Sequence, residues 1–283
     1  MGILGGGVMK RQKVDLPYVL LFLAVSLGAF LMFIPYLWMI ISSLKSNLEI
    51  ISASANIWPE KVTIDGYKTV FSDAPFLKWL FNSFITSTLI TTATLFTSAL
   101  AGYIFAKFKF KGKQLSFILI LSTMMVPFQV MMIPRYLIIS DLGLINNLMA
   151  IIIPNLMSGF GIFLCKQFIE SIPNDLIEAA RIDGAGEFRT FWSLILPQIK
   201  PALSAIGIFT FMAAWNDYLW PLIVLNDLDK MTVPLALVFF NGQHAVNYNV
   251  VMSASVLIMI PVVIVFLIFQ KQFIKGMTLT GMK

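Results

Sequence analysis

The chain has 283 residues, of which 58% are hydrophobic and 12% are charged, and its formal net charge is +6. Soluble domains contain about 45–50% apolar and about 25% charged residues, so this composition excludes an ordinary soluble domain and indicates a bilayer as solvent. The basic residues lie at the ends of apolar runs and not in one patch, which argues against a nucleic-acid partner. One cysteine, Cys165, and one histidine, His244, exclude an internal disulfide and a cysteine or histidine metal cluster.

Six apolar segments are long enough to span a membrane, since a helix needs about 20 residues to cross a hydrocarbon core of about 30 Å. The predicted spans are 17–41, 80–106, 115–138, 148–169, 202–225 and 248–270. Because the core of a bilayer holds no water, each span is predicted to be helical. The predicted fold class is therefore all-α, a polytopic membrane protein with six transmembrane helices in a single domain over 17–270, between tails at 1–16 and 271–283.

The charges in the loops predict the orientation of the chain. Fourteen Lys and Arg residues fall at the termini and in the loops after spans two and four, whereas six, Arg135 among them, fall on the other side. The positive-inside rule places both termini and the loop after span four in the cytoplasm. The predicted location is the cell (inner or plasma) membrane, with a multi-pass topology.

Several spans contain interruptions or polar residues. Pro127 and Pro134 are predicted to kink span three, as a static feature in preference to a hinge. The Ser and Thr residues of span two favour close helix packing over a polar pore lining. Asp217, near the outer end of span five, is the best candidate for an ionisable group in the membrane, and we interpret it as part of a polar helix end. Without a relay of carboxylates, a proton- or sodium-driven carrier is poorly supported.

The cytoplasmic loop, residues 171–201, predicts a helix-turn-helix. Pro173 and the acidic residue that follows it favour a helix start, and Gly184 favours its end. A second helix is predicted from about Glu187. Pro197 and Pro201 lie four residues apart, so a continuous helix from there into span five is disfavoured.

The first helix of this loop carries apolar residues that we predict to lie on one side. We expect that apolar side to be covered by lipid or by protein. Lipid headgroups are one candidate. The small alanines and the mixed charges of Glu178, Arg181 and Asp183 favour insertion into a cleft of another protein instead.

Glu178-Ala179-Ala180, Gly184 and Leu196-Pro197 resemble the EAA loop of ABC importer permeases, although Leu194 stands where isoleucine is usual. The resemblance extends along most of the chain. Its other motifs are Asn82-Ser83, Met124-Met125-Val126-Pro127, Ile133-Pro134, Phe209-Thr210-Phe211, Trp215-Asn216-Asp217, Pro221-Leu222, and Gln270-Lys271-Gln272-Phe273 with Gly276. Together they are similar to the carbohydrate-uptake permeases, in particular the smaller six-span subunit of the maltose type.

This resemblance implies a type I ABC importer permease fold with a coupling loop at 171–201. It implies a permease subunit, itself no enzyme, of an ATP-driven importer that moves a sugar or oligosaccharide delivered by an extracytoplasmic binding protein. A second homologous permease and two ATP-binding subunits at the EAA loop would complete the assembly. ATP and Mg would belong to the ATPase, with no cofactor in this chain. The sequence agrees, since it lacks a G-x-x-x-x-G-K-[ST] loop to hold ATP phosphates.

The resemblance also assigns candidate site residues. The predicted ATPase-coupling residues are Glu178, Ala179, Ala180, Asp183, Gly184, Leu196 and Pro197. Candidates for the substrate path are Asn155, Ser158, Trp215 and Asn216, whose amide, hydroxyl and aromatic groups suit a sugar. Bonding between helices explains these four somewhat better, and in maltose-type systems the other permease would hold most of the sugar. No metal site is predicted.

Three alternatives remain open at this point. An ABC permease for a non-sugar solute is the nearest. A self-sufficient secondary carrier requires buried carboxylates that the spans lack. A membrane scaffold or signalling subunit would bind an ATPase without passing any solute.

Overall fold

The computed structural model describes residues 16–52, 56–242 and 247–280, and all regular secondary structure in these ranges is helical. His244 lies outside them. The helices are α1 Leu16–Ser43, α2 Asn47–Ile51, α3 Asp65–Ser72, α4 Phe76–Lys107, α5 Lys113–Thr123, α6 Phe128–Asp141, α7 Met149–Ile152, α8 Gly159–Glu170, α9 Asn174–Ile182, α10 Glu187–Thr190, α11 Leu196–Gln198, α12 Lys200–Trp215, α13 Leu219–Val224, α14 Val233–Gly242 and α15 Tyr248–Thr280. Short 3₁₀ turns occupy Ile153–Asn155 and Leu228–Lys230, and a π turn occupies Phe191–Ile195.

Four stretches are long and apolar enough to cross a membrane, and they match predicted spans one, two, four and six. They are α1, α4, the stretch Met149–Glu170 and the part Tyr248–Gln270 of α15. Predicted spans three and five are not single helices. The first is α5 and α6, bent by 101°. The second, residues 202–225, is covered by α12 and α13, which the non-helical residues 216–218 separate. A further bent pair, at 78°, joins Glu187–Gln198 of the predicted loop to α12. The described chain thus has four membrane-length helices, or up to six spans if each bent pair is one span.

Proline chemistry explains the break in the third span. Pro127 precedes the first residue of α6 in an extended conformation, with ψ 137°. Because it lacks an N–H and crowds the preceding turn, it ends a helix more readily than it bends one. Pro134 lies inside α6 without breaking it. The predicted interruption is therefore a complete break at Pro127, whereas α6 runs through Pro134.

Helix α4 forms the centre of the described helices and packs closely on α8. A Cβ placed on Gly102 of α4 would lie 2.6 Å from Cβ of Cys165, and one on Gly161 of α8 would lie 2.2 Å from Oγ of Ser98. Small residues at these points let the two backbones approach, as predicted for span two. Cys165 is fully buried, in agreement with its place in an apolar run.

Helices α1 and α15 differ from this centre. Helix α1 buries just Ser42 and Ser43, and Asn249 and Ser253 of α15 donate hydrogen bonds to the Ser43 carbonyl. The remaining apolar side chains of α1 are largely exposed, as expected of a helix whose solvent is lipid. Helix α15 continues to Thr280, beyond the span end predicted at residue 270.

Candidate functional site

Helix α9 ends in a Schellman motif that depends on Gly184. This glycine has φ +78°, in the left-handed region. Its N–H donates to the Arg181 carbonyl at 3.0 Å, and the N–H of Ala185 donates to the Ala180 carbonyl at 2.9 Å. The two bonds satisfy carbonyls at the helix end and turn the chain towards α10. A Cβ at Gly184 would meet nothing within 4 Å, so the backbone conformation, and not space, favours glycine.

The helix boundaries predicted in this loop are confirmed: α9 begins after Pro173, and α10 begins at Glu187. The seven predicted coupling residues lie at or near the surface of the loop. Glu178, Ala179, Asp183, Gly184 and Pro197 are exposed, and Ala180 and Leu196 are half-buried.

The apolar residues of α9 do not share one side, contrary to the prediction. Ile177 is 3% exposed, whereas Ile182 is 86% exposed and Leu176 is also exposed. The rings of Phe188 and Trp192 stack at 6.2 Å on the neighbouring turns and are exposed too. The loop therefore joins the protein through one set of apolar side chains and leaves a second set uncovered.

The inward-facing set anchors the loop to the membrane helices. Ile177 of α9 and Phe191 of the π turn pack in one buried cluster with Tyr103 of α4 and Cys165 of α8. Tyr103 and Phe191 have ring centroids 5.7 Å apart. The loop is thus in direct contact with α4 and α8.

Polar contacts reinforce this anchor. The Oε2 atom of Glu187 accepts a hydrogen bond from the Tyr103 hydroxyl, and its Oε1 atom accepts one from Nε of Arg181, both at 2.8 Å. The bond to Glu187 raises the pKa of Arg181, so its guanidinium stays charged. Lys107, at the end of α4, donates to Oδ1 of Asn174 at 2.9 Å. Glu187 therefore bridges α4 and α9.

Sequence reasoning did not identify Glu187 and Tyr103 as site residues. It grouped Arg181 with Glu178 and Asp183, its neighbours on the same helix, whereas Arg181 pairs across the turn. The one available signal was a carboxylate placed just after a Gly-rich turn, opposite a basic residue at the end of the preceding helix.

A second feature is a cavity of about 480 Å³ where three interrupted helices meet. The interruptions are residues 124–127, 156–158 and 216–218. Ile90 and Thr94, halfway along α4, line the cavity, which therefore lies at mid-height of that helix. Its other lining residues are Phe128, Arg135, Asn155, Met157, Ser158, Phe160, Phe209, Thr210, Ala213, Ala214 and Asp217.

Arg135 is held in a fixed position beside this cavity. Its guanidinium carbon lies 4.7 Å from the ring centroid of Trp220 and 5.5 Å from that of Phe128. Its Nη2 atom donates to Oδ1 of Asn155 at 3.0 Å. Sequence analysis counted this arginine among the loop charges of the outer side. The structure instead places it within α6 and half-buried.

Hydroxyls of α4 satisfy the backbone at the second interruption. Oγ1 of Thr94 donates to the Asn155 carbonyl at 3.1 Å, and Oγ1 of Thr97 donates to the Leu156 carbonyl at 2.9 Å. These carbonyls have lost their helical partners because the helix stops there. The prediction that span-two hydroxyls bond across helices is confirmed at these two residues.

The structure brings two of the four path candidates together and separates the other two. Asn155 and Ser158 line the cavity, together with Asp217. Asp217 lies at the break between α12 and α13, within predicted span five and not at its outer end as predicted. Trp215 is buried, and its Nε1 donates to the Ile258 carbonyl of α15 at 3.3 Å. Asn216 is exposed and donates to the carbonyl one turn before it. The contact of Trp215 joins two helices, the alternative left open from the sequence, whereas Asn216 bonds within its own helix and takes part in neither the cavity nor that packing contact.

The comparisons with known proteins agree with these features. Residues 98–279 match the family described as binding-protein-dependent transport system inner membrane component. The chain is 37% identical to the arabinooligosaccharides transport permease AraQ of Bacillus subtilis, over 88% of this chain and 90% of that protein. It is 34% identical to the lactose transport permease LacG of Rhizobium radiobacter, over 95% and 98%. It is 36% identical to the sn-glycerol-3-phosphate transport permease UgpE of Yersinia enterocolitica, over 73% and 74%.

Solved structures share the fold. A chain of a bacterial ABC transporter involved in the import of the acidic polysaccharide alginate matches with a TM-score of 0.82 and 24% identity, over 94% of this chain and all of that one. A chain of an alginate ABC transporter in complex with its pentasaccharide-bound periplasmic protein matches with a TM-score of 0.65 and 16% identity, over 92% and 96%.

Apolar helices of membrane length, helices broken within the membrane and an exposed EAA loop define a multi-pass transport permease of the ABC type. The chain belongs to the family of binding-protein-dependent transport system inner membrane components. It is a membrane component and no enzyme, since the ATPase of such a transporter is a separate subunit. In the described part of the chain, no group of three or more His, Cys, Asp or Glu is arranged to hold a metal ion.

Proposed function

We propose that this permease imports a sugar or oligosaccharide and that its EAA loop and both termini face the cytoplasm. The observation that carries the proposal is the exposed α9, whose outer apolar side chains are uncovered while its inner side chain, Ile177, is fixed in the core. A partner that binds the exposed side of α9 can displace α4 and α8, because the buried side of α9 packs against them.

We assign the covering of α9 to one of two ATP-binding subunits. Ile182 and Leu176 offer apolar contact, and Glu178 offers a carboxylate for a partner cation or backbone N–H. ATP and Mg would bind to those subunits. A second homologous permease beside this one and an extracytoplasmic sugar-binding protein above complete the proposed assembly.

ATP acts on this chain by linkage in our proposal. ATP binding favours one arrangement of the assembly to the extent that its contacts differ between arrangements. The loop is where this chain experiences that difference. The contacts from Arg181 through Glu187 to Tyr103, and the buried cluster around Phe191, support a path from the loop into α4.

The sugar cargo is supported by the relatives named for arabinooligosaccharides and lactose. A phosphorylated solute is the second candidate, because another relative is named for sn-glycerol 3-phosphate. The predicted path residues Asn155 and Ser158 stay candidates for this route, since both line the mid-height cavity.

The test of this function is ATP-dependent uptake into proteoliposomes. The complete transporter, assembled from this chain and the products of neighbouring genes, is supplied with labelled neutral oligosaccharides or with sn-glycerol 3-phosphate. We expect uptake of a neutral sugar that requires both ATP and the binding protein. Uptake by this polypeptide alone would identify a secondary carrier and contradict the proposal.

A cysteine crosslink tests the role of the loop. We expect Ile182→Cys to crosslink to the ATP-binding subunit. The matched control is Ile57→Cys, another exposed isoleucine, in the segment between α2 and α3, which should give no such product. If Ile182→Cys reacts only with lipid-soluble reagents and crosslinks to no protein, α9 lies against lipid headgroups. That result would contradict the proposed coupling role of α9.

A further inference from the structure

We propose that the cavity beside Arg135 and Asp217, which is open on one side, is a solute subsite of this subunit and that it accepts an uncharged, polyhydroxylated solute. The inference rests on the proposed function of solute import. It adds the location of a solute-binding site in this chain and the net charge of the solute that the site accepts.

The first argument is the backbone around the cavity. In a bilayer, non-helical backbone is tolerated only where protein buries it or where it lines a water-filled cavity. Two interruptions supply lining residues, Met157 and Ser158 from 156–158 and Asp217 from 216–218, and a third break, at 124–127, ends beside the lining residue Phe128. The volume of about 480 Å³ lies within the range of about 300–1,000 Å³ that is usual for small-molecule sites.

The second argument is charge. Among the lining residues, Arg135 and Asp217 are the two with a formal charge, and their charges are opposite. The cavity is therefore neutral as a whole. An anionic solute is attracted by the guanidinium but repelled by the carboxylate, and a cationic solute is attracted by the carboxylate but repelled by the guanidinium. Either one therefore gains less binding free energy than a neutral molecule that forms hydrogen bonds with both groups.

Hydroxyl groups suit such a pair. A hydroxyl donates one hydrogen bond and accepts others, so neighbouring hydroxyls on one solute can donate to Asp217 and accept from Arg135. Bonds to charged groups are about twice as strong as those between neutral groups. Phe160 and Phe209 supply apolar surface for the C–H faces of a ring.

The third argument is that Arg135 is held before any solute arrives. The ring of Trp220 and the Asn155 side chain hold its guanidinium, and Trp220 is itself fixed by a bond from its Nε1 to the Ala150 carbonyl at 2.9 Å. A side chain that is already ordered loses little entropy when a ligand binds. The geometry therefore describes a prepared donor and not a mobile surface arginine.

The test compares three variants in the complete reconstituted transporter. Arg135→Gln leaves the cavity with the carboxylate alone, Asp217→Asn leaves the guanidinium alone, and the double variant restores neutrality. For whichever of lactose or arabinotriose the wild type transports, we expect KM to rise about tenfold or more in each single variant. The double variant lacks both charged partners, so its KM should be at least as high as in either single variant. All three variants should reach the membrane in the wild-type amount and keep kcat nearly unchanged, which a variant damaged in folding would not do.

A second measurement does not depend on those variants. Met157→Cys places a thiol in the second interruption, and the single native cysteine, Cys165, is fully buried. We expect the transported neutral sugar to slow labelling by a water-soluble thiol reagent at least about threefold, and sn-glycerol 3-phosphate to have no effect. The control Ile57→Cys, in an outer segment, should be labelled at the same rate with either solute.

The outcomes separate the two proposals. ATP-driven sugar uptake with an unchanged KM in both single variants and no protection of Met157→Cys would overturn the subsite while leaving the importer intact. A wild-type preference for sn-glycerol 3-phosphate over the neutral sugars would overturn the charge class in the same way. Uptake by this chain without its partners would overturn the proposed function itself.

Discussion

The EAA loop and the mid-height cavity are both built where helices stop, but the two regions draw on different parts of the chain. In the loop, one turn is fixed by Gly184 and by hydrogen bonds to residues just before it. In the cavity, two interruptions from separate helices supply lining residues, and a third helix begins beside the same space at Phe128. A helix end at the surface can be completed by its own residues and water. A helix end inside a bilayer needs other helices to complete it, so such breaks occur together.

Helix α4 connects the two regions. Thr94 supports the backbone beside the cavity, and Tyr103 contacts Glu187 beside the loop. At 1.5 Å per residue, these side chains lie about 14 Å apart along one rigid helix. Helix α4 therefore provides a short and continuous connection between the loop and the cavity. The following variants test this connection at the loop and at the cavity.

The largest effect is expected at the turn of the loop. Gly184→Val places a β-branched residue at φ +78°, a conformation that costs at least about 1–2 kcal/mol for residues other than glycine. The turn then reorients α9. We expect solute transported per ATP hydrolysed to fall at least about tenfold, with a normal amount of protein in the membrane.

Two controls isolate the backbone conformation in this experiment. Gly184→Asn keeps a residue that tolerates the left-handed region and should retain most of the coupling. Gly186→Val changes a nearby glycine with φ −69° and open space around it, and should be nearly silent. Normal coupling in Gly184→Val would remove the turn from the mechanism.

The next effect is expected where α4 meets α8. The new Cβ of Gly102→Ala would lie 2.6 Å from Cβ of Cys165 and 2.9 Å from the backbone N of Lys166, so the helices must separate. Overpacking of this kind costs about 1–3 kcal/mol. We expect a clearly lower melting temperature in detergent than for Gly207→Ala, whose Cβ would lie at an ordinary 3.5 Å from Leu95. Equal melting temperatures would contradict a tight contact between α4 and α8.

A smaller effect is expected at the cavity. Thr94→Val removes the hydrogen bond to the Asn155 carbonyl, a loss of about 0.5–1.5 kcal/mol. Because the Asn155 side chain holds Arg135, we expect KM for the transported solute to rise with little change in kcat. Thr88→Val, an exposed threonine on the same helix, is the matched control. A change confined to kcat would point to the loop end of α4 instead.

The smallest effect is expected at the ion pair of Arg181 and Glu187. Both side chains are about half exposed, and exposed pairs contribute little. The hydrogen bond to Glu187 raises the pKa of Arg181, so its contribution is fully present below the ordinary arginine pKa and is lost only as pH rises through the higher folded value. We expect Arg181→Gln to change coupling less than about twofold, with no pH dependence from this arginine between about pH 6 and 9.

The matched control for the ion pair is Arg189→Gln, an exposed arginine on α10. An effect of Arg181→Gln as large as that of Gly184→Val would mean that charge, and not the shape of the turn, transmits the motion.

The sequence predicted much of the loop because its determinants are local. Pro173 and Gly184 mark helix ends by their own backbone chemistry, and the structure ends the helices there. The sequence predicted too simple a membrane region for the opposite reason. Apolar composition identifies a span, yet composition does not reveal that residues 156–158 leave the helix. The carbonyls of Asn155 and Leu156 at this break are satisfied by Thr94 and Thr97 of another helix.

By itself, the sequence determined a multi-pass helical protein, the places of its apolar segments and the form of the EAA loop, because hydropathy and turn chemistry act on neighbouring residues. Only the tertiary structure decided that Arg135, Asn155 and Asp217 border one cavity and that Glu187 joins Tyr103 to Arg181. Each of those groups has polar atoms whose partners come from distant parts of the chain, and only the packing of helices in three dimensions brings them within hydrogen-bonding or electrostatic range.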